Sequence, residues 1–154
     1  LSKTAMAMHY IAHVGARTRA LDNEFKCLLF LADWKSCLIQ GKQITDLEWT
    51  FAPTPTAEDM PFFPMLSIRE KVDQLLGRKP AFLSNEDVEA LDHVISVTCG
   101  MRTHDVIRLA NSTYPGLTND RGEVIDLPLF AKTKSIDPWH YGPKRLPAHY
   151  YEQA

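Results

Sequence analysis

The chain has 154 residues, 45% of them apolar and 23% charged, and 17 Lys and Arg against 19 Asp and Glu give a formal net charge of -2. That length supports one domain with its own hydrophobic core, and the balance excludes wholesale disorder and the collagen-like and low-complexity classes. A charge so near zero supplies no broad positive field for phosphates, so nucleic acid is not the favoured partner.

From Thr4 to Ala16 the apolar positions Met8, Ile11, Ala12 and Val14 are loosely helical in spacing, with Gly15 near the end. The segment Asp22 to Gln40 carries Phe25, Leu28, Leu29, Ala32, Leu38 and Ile39, and Gly41 follows as a terminating residue. Around Cys27–Leu31 it is apolar on more than one face, which predicts a central helix with neighbours on several sides. After Gly41, Ile44, Leu47, Trp49 and Phe51 recur at steps of two or three, a spacing that predicts a short strand or hairpin.

Prolines at 53, 55, 61 and 64 exclude a long regular element there, leaving room for one helical turn over Ala57–Met60 and a short strand over Phe63–Leu66. Ser67 with Glu70 three residues on reads as a capping box opening a helix that Gly77 closes. Ser84 with Asp87 repeats the signature, and Val88, Leu91, Val94 and Ile95 predict a helix over Asn85–Thr98. A further helix is expected over Thr103–Asn111, with Val106, Ile107 and Ala110 inward and Tyr114-Pro115-Gly116 as its stop. Val124–Phe130 is too short and too interrupted by proline to assign. The remainder, 137–154, is a tail rich in proline and aromatics. The expected fold is mainly α: a compact helical bundle over 1–136 with a small β-hairpin insertion after the central helix.

Cys27, Cys37 and Cys99 form an odd set without a CxxC pair and read as reduced, buried thiols of a cytosolic protein. The longest apolar run, Cys27–Trp34, contains Asp33 and is far shorter than the ~20 residues a membrane span needs. The first residue is Leu and no charged-then-apolar leader follows, so the start reads as a trimming boundary and a cytoplasmic location is expected.

His9 and His13 are spaced as a helical metal pair, but no Glu follows His9 to complete an H-E-x-x-H motif. The carboxylates Glu86, Asp87, Glu89 and Asp92 sit in the first turns of a predicted helix, where they complement the helix dipole. Phosphate-cradling glycine loops and the G-x-S-x-G elbow are absent from the sequence. No catalytic residue, cofactor or metal is assigned, and an enzyme is not expected. Trp49, Phe51, Phe62 and Phe63 crowd a proline-rich segment, a composition typical of partner-binding surfaces.

Two stretches carry a resemblance. KCLLFLADWKSCLIQGKQIT running into DLEWTF, and FLSNEDVEALDHVISVTCGMRTHDVIRLANSTYP about thirty residues later, resemble the helix-then-hairpin and capped-helix segments of the Panacea domain family. This is the family of SocA-like antitoxins and phage-associated proteins. Where family members follow the hairpin with a YGPV-like or GPY-like sequence, this chain has Phe51-Ala52-Pro53-Thr54-Pro55. The resemblance implies an antitoxin-like module that binds a toxin encoded beside it, or an adaptor that presents the toxin to a protease, without a cofactor. The partner expected is therefore another protein, with self-association left open. The alternatives are a phage accessory protein, a nucleic-acid-binding regulator using Lys132, Lys134, Lys144 and Arg145, and a hydrolase with an unrecognised site.

Overall fold

The computed structural model describes residues 3–15, 22–52, 61 and 82–136. Six helices lie among them: α1 (Lys3–Val14), α2 (Asp22–Gln40), α3 (Asn85–Thr98), α4 (Thr103–Asn111), α5 (Tyr114–Thr118) and α6 (Leu127–Ile136). The expected helix over Ser67–Leu76, the turn over Ala57–Met60 and the strand over Phe63–Leu66 lie outside the described residues, as does the tail.

Helix α2 is central, packed on α1, α3, α4 and α6. Its Cys27, Leu28, Leu29, Phe30 and Leu31 are all buried, as an apolar run without a polar face requires. Gly41 ends the helix at a φ of 76°, its amide donating to the Cys37 carbonyl at 3.0 Å.

Of the anticipated core, Leu28, Leu29, Ala32, Leu91 and Val94 are buried, and Ile95 is half-buried. Replacing Leu29 with Ala leaves a cavity among these side chains and is expected to cost ~2–5 kcal/mol, measured as the shift of the denaturant midpoint.

Helix α3 starts as its sequence demands. The Asp87 amide donates to Ser84 Oγ at 3.1 Å and the Ser84 amide donates to Asp87 Oδ2 at 3.0 Å, closing the capping box. Pro115 does not simply end the helical region. Thr113 Oγ1 accepts from the Gly116 amide at 3.1 Å and caps α5, in which proline occupies the first turn, where its missing N–H costs no helical bond. A side chain at Gly116 would meet the Ala110 carbonyl oxygen at 2.6 Å, so glycine lets α5 fold back against the end of α4.

Helix α6 follows the same rule. Asp126 Oδ1 accepts from the Leu129 amide at 3.1 Å, and Pro128 sits in the first turn. Reading that proline as an interruption conceals a ten-residue helix. Phe130 packs on Tyr114 at 5.7 Å, and Tyr114 on Trp34 at 6.4 Å between ring centroids, joining α6 and α5 to α2.

The hairpin expectation is corrected. Residues 41–52 contain no strand; Thr50 alone takes part in an isolated bridge. The Ile44 and Thr45 amides are taken by the Asp33 carboxylate, and the Thr45 and Leu47 carbonyls accept from Gln43 Nε2 at 3.2 and 3.0 Å. Groups consumed in this way are not available for a ladder with a neighbouring strand. Further on, the Trp49 and Phe51 carbonyls accept from the Ile125 and Gly122 amides at 2.8 and 2.9 Å. The partners of this segment are thus some seventy residues away.

Candidate functional site: an open groove beside a buried carboxylate

Trp49 and Phe51 were singled out by sequence as rings for a partner, and the structure buries them, at 0% and 1% exposure. Both stand edge-on to Phe30, at 5.4 and 5.9 Å between centroids. The expectation of exposed rings is corrected for these two, because α2 offers Phe30 as an apolar floor and Asp33 as an acceptor for the indole N–H. Arg121 covers the Phe51 ring at 6.0 Å and donates to the Ala52 carbonyl at 3.2 Å. Phe62 and Phe63 lie outside the described residues.

Asp33 is fully buried in α2. Its Oδ1 accepts from the Ile44 and Thr45 amides, both at 3.0 Å. Its Oδ2 accepts from Thr45 Oγ1 at 2.6 Å, Trp49 Nε1 at 2.8 Å and Gln43 Nε2 at 3.4 Å. Burial pushes the carboxyl up to about 6, the hydrogen bonds from Thr45, Trp49 and Ile44 working against that rise. A carboxylate enclosed by so many donors organises residues 41–52 and is closed to substrate.

A second polar cluster joins three helices. Asp87 Oδ2 lies 2.6 Å from Lys3 Nζ, and Asp87 Oδ1 accepts from Gln40 Nε2 at 2.8 Å. Burial raises the Asp87 carboxyl, but Lys3, the Ser84 amide and Gln40 outweigh it and hold the group below the ordinary carboxylate range. Asp92 accepts from the Tyr10 hydroxyl at 2.6 Å. These contacts give Asp87 and Asp92 structural work beyond the helix dipole.

His9 is buried and stacks on the exposed His13 with ring centroids 5.6 Å apart. Burial, and then the neighbouring imidazole, lowers the His9 pKa, so its neutral form is favoured. Among the described residues no group of three or more His, Cys, Asp or Glu is placed to hold a metal ion. Cys27 and Cys37 are buried and Cys99 is exposed, which corrects the expectation for the third thiol. Burial first, with Glu24 nearby, pushes the Cys27 thiol up to about 12, and burial with Asp33 and Asp126 nearby raises Cys37 also. Neither buried thiol is poised as a nucleophile.

The concave feature of interest was not visible in sequence. An open groove of ≈ 620 Å³ runs between the end of α2 and the start of α6. Cys37, Leu38 and Gly41 form one wall; Asp126, Pro128, Leu129, Ala131 and Lys132 form the other. Leu129 is 55% exposed at its edge, while Leu38 is half-buried. Asp126 and Lys132 are exposed and carry opposite charges six residues apart, roughly 9 Å along a helical axis. Lys132 is the one residue of the basic strip whose side chain falls within the described region. The groove depends on α6, the helix hidden by Pro128; the only sequence signal for it was Asp126 standing three residues before Leu129.

No helix among the described residues is long and apolar enough to cross a membrane. No family model, curated protein or solved structure matches the chain.

Proposed function

We propose that the protein is a helical protein-binding module, antitoxin-like as its Panacea resemblance implies, which holds a partner in the groove between α2 and α6. The observation that carries the reading is Leu129: a large apolar side chain more than half exposed at the lip of a concave surface whose other lining includes the apolar Leu38, Pro128 and Ala131. Apolar side chains framed by charge are the usual make-up of an anchoring site for an amphipathic segment. The occupant favoured is a helix of the neighbouring gene's product, with an apolar stripe against Leu38 and Leu129. A cation on that helix would face Asp126, and an anion Lys132.

The test is neutralisation. The neighbouring gene is expressed alone, with this chain, and with its Leu129→Asp variant, and growth is followed. Wild type is expected to restore growth. The variant is expected to fail while retaining its helical circular dichroism, because truncating or charging an apolar anchor that a partner covers costs about 2 kcal/mol or more of binding. A variant that protects as well as wild type would remove the groove from the interface.

A further inference from the structure

We propose that residues 41–52 act as a strap that sets the groove, tying its α6 wall to the buried carboxylate of Asp33, so that release of Asp33 loosens the turn before α6 ahead of α3. One anchor lies on each side. Asp33 stands one turn before Cys37 on α2, the helix that forms the first wall. From its two oxygens the contacts run to Ile44, Thr45 and Trp49, and the Trp49 carbonyl then accepts from the Ile125 amide at 2.8 Å.

Ile125 is buried two residues before α6 begins, and the Leu127 amide donates back to its carbonyl at 3.1 Å. The next residue, Asp126, holds the Leu129 amide. The carboxylate and the groove's exposed leucine are thereby linked through Trp49, Ile125 and Asp126. The strap has neither helical nor strand hydrogen bonding of its own, so releasing Asp33 frees several of its groups together. A docked partner that leans on Leu129 would in turn favour the closed strap, since a ligand stabilises the state it prefers.

The functional meaning of the strap rests on the groove being a docking site, but its mechanics are testable without a partner. Amide hydrogen exchange is measured on the whole chain, on Asp33→Asn, and on Trp49→Phe, which keeps a ring and removes the indole donor. Leu29→Ala serves as the control, which weakens the core but removes none of the hydrogen bonds that Asp33 accepts from the strap. In Asp33→Asn the amides of Gly122, Ile125 and Leu129, none of which bonds to Asp33, are expected to exchange roughly tenfold faster relative to Leu91 and Val94 in α3.

Trp49→Phe is expected to give a smaller change of the same pattern, and it decides the matter where Asp33→Asn does not fold. Leu29→Ala is expected to speed Leu91 and Val94 most. Exchange of Gly122, Ile125 and Leu129 in step with Leu91 and Val94 in every variant would overturn the strap. Protection retained at Leu129 while Ile125 opens would overturn its link to the groove. Either failure leaves the growth experiment on Leu129 standing.

Discussion

Trp49→Ala is expected to destabilise the protein by ~3–5 kcal/mol, the range for removing a large buried aromatic. The indole is fully buried, meets Phe30 edge-on and donates to Asp33, so truncation opens a cavity and deprives a buried carboxylate of a donor at once. Chemical denaturation followed by far-ultraviolet circular dichroism measures the loss directly. A variant as stable as wild type would return Trp49 to the surface, where its sequence context suggests it belongs.

The second large effect is at Asp33. Asp33→Ala leaves the Ile44 and Thr45 amides and the Trp49 indole without their acceptor, and is expected to cost on the order of 3 kcal/mol. Its pH dependence has a definite sign. Burial raises the folded carboxyl to about 6 from an ordinary value of 3.8, so the folded chain binds this proton more tightly than the unfolded one. The stabilisation that follows is fully present below the ordinary value and lost as pH rises through about 6.

Asp87 runs the other way. Its folded carboxyl is depressed, so it contributes stability above the ordinary carboxylate range that disappears as pH falls through its lowered value. Denaturation of wild type and Asp33→Asn from pH 4 to pH 7 isolates the contribution of Asp33. The stability difference between them is expected to change by up to roughly 3 kcal/mol across that window, wild type losing its relative advantage as pH rises. A difference that does not vary with pH would show that the donors around Asp33 cancel the cost of its burial.

Helices with complete signatures were legible in the sequence. Asn85–Thr98 has its cap, its acidic third residue and its apolar period in agreement, and Asp22–Gln40 has a continuous apolar interior and a glycine stop. What was not legible depends on position or on distant partners. Pro115 and Pro128 read as breaks until their caps, Thr113 and Asp126, place them in first turns.

Residues 41–52 alternate as a strand does, yet their groups are satisfied by Asp33, Gln43 and amides beyond residue 120, which no local period encodes. For the same reason Trp49 and Phe51 looked like surface anchors. A tryptophan near prolines appears exposed until a buried acceptor for its N–H is found, and Asp33 supplies that acceptor from an apolar run where it looked only like an interruption. The groove was further out of reach, since it needs α6 and the end of α2 side by side.

The claim that a partner docks between α2 and α6 is tested most directly by an amide chemical-shift map of the labelled chain titrated with the neighbouring gene's product. The account predicts that the largest shifts fall at Leu38, Gly41, Leu129 and Lys132, with smaller ones along the strap at Thr45 and Ile125. Shifts confined to the outer faces of α1 and α3, with the groove residues unmoved, would contradict it.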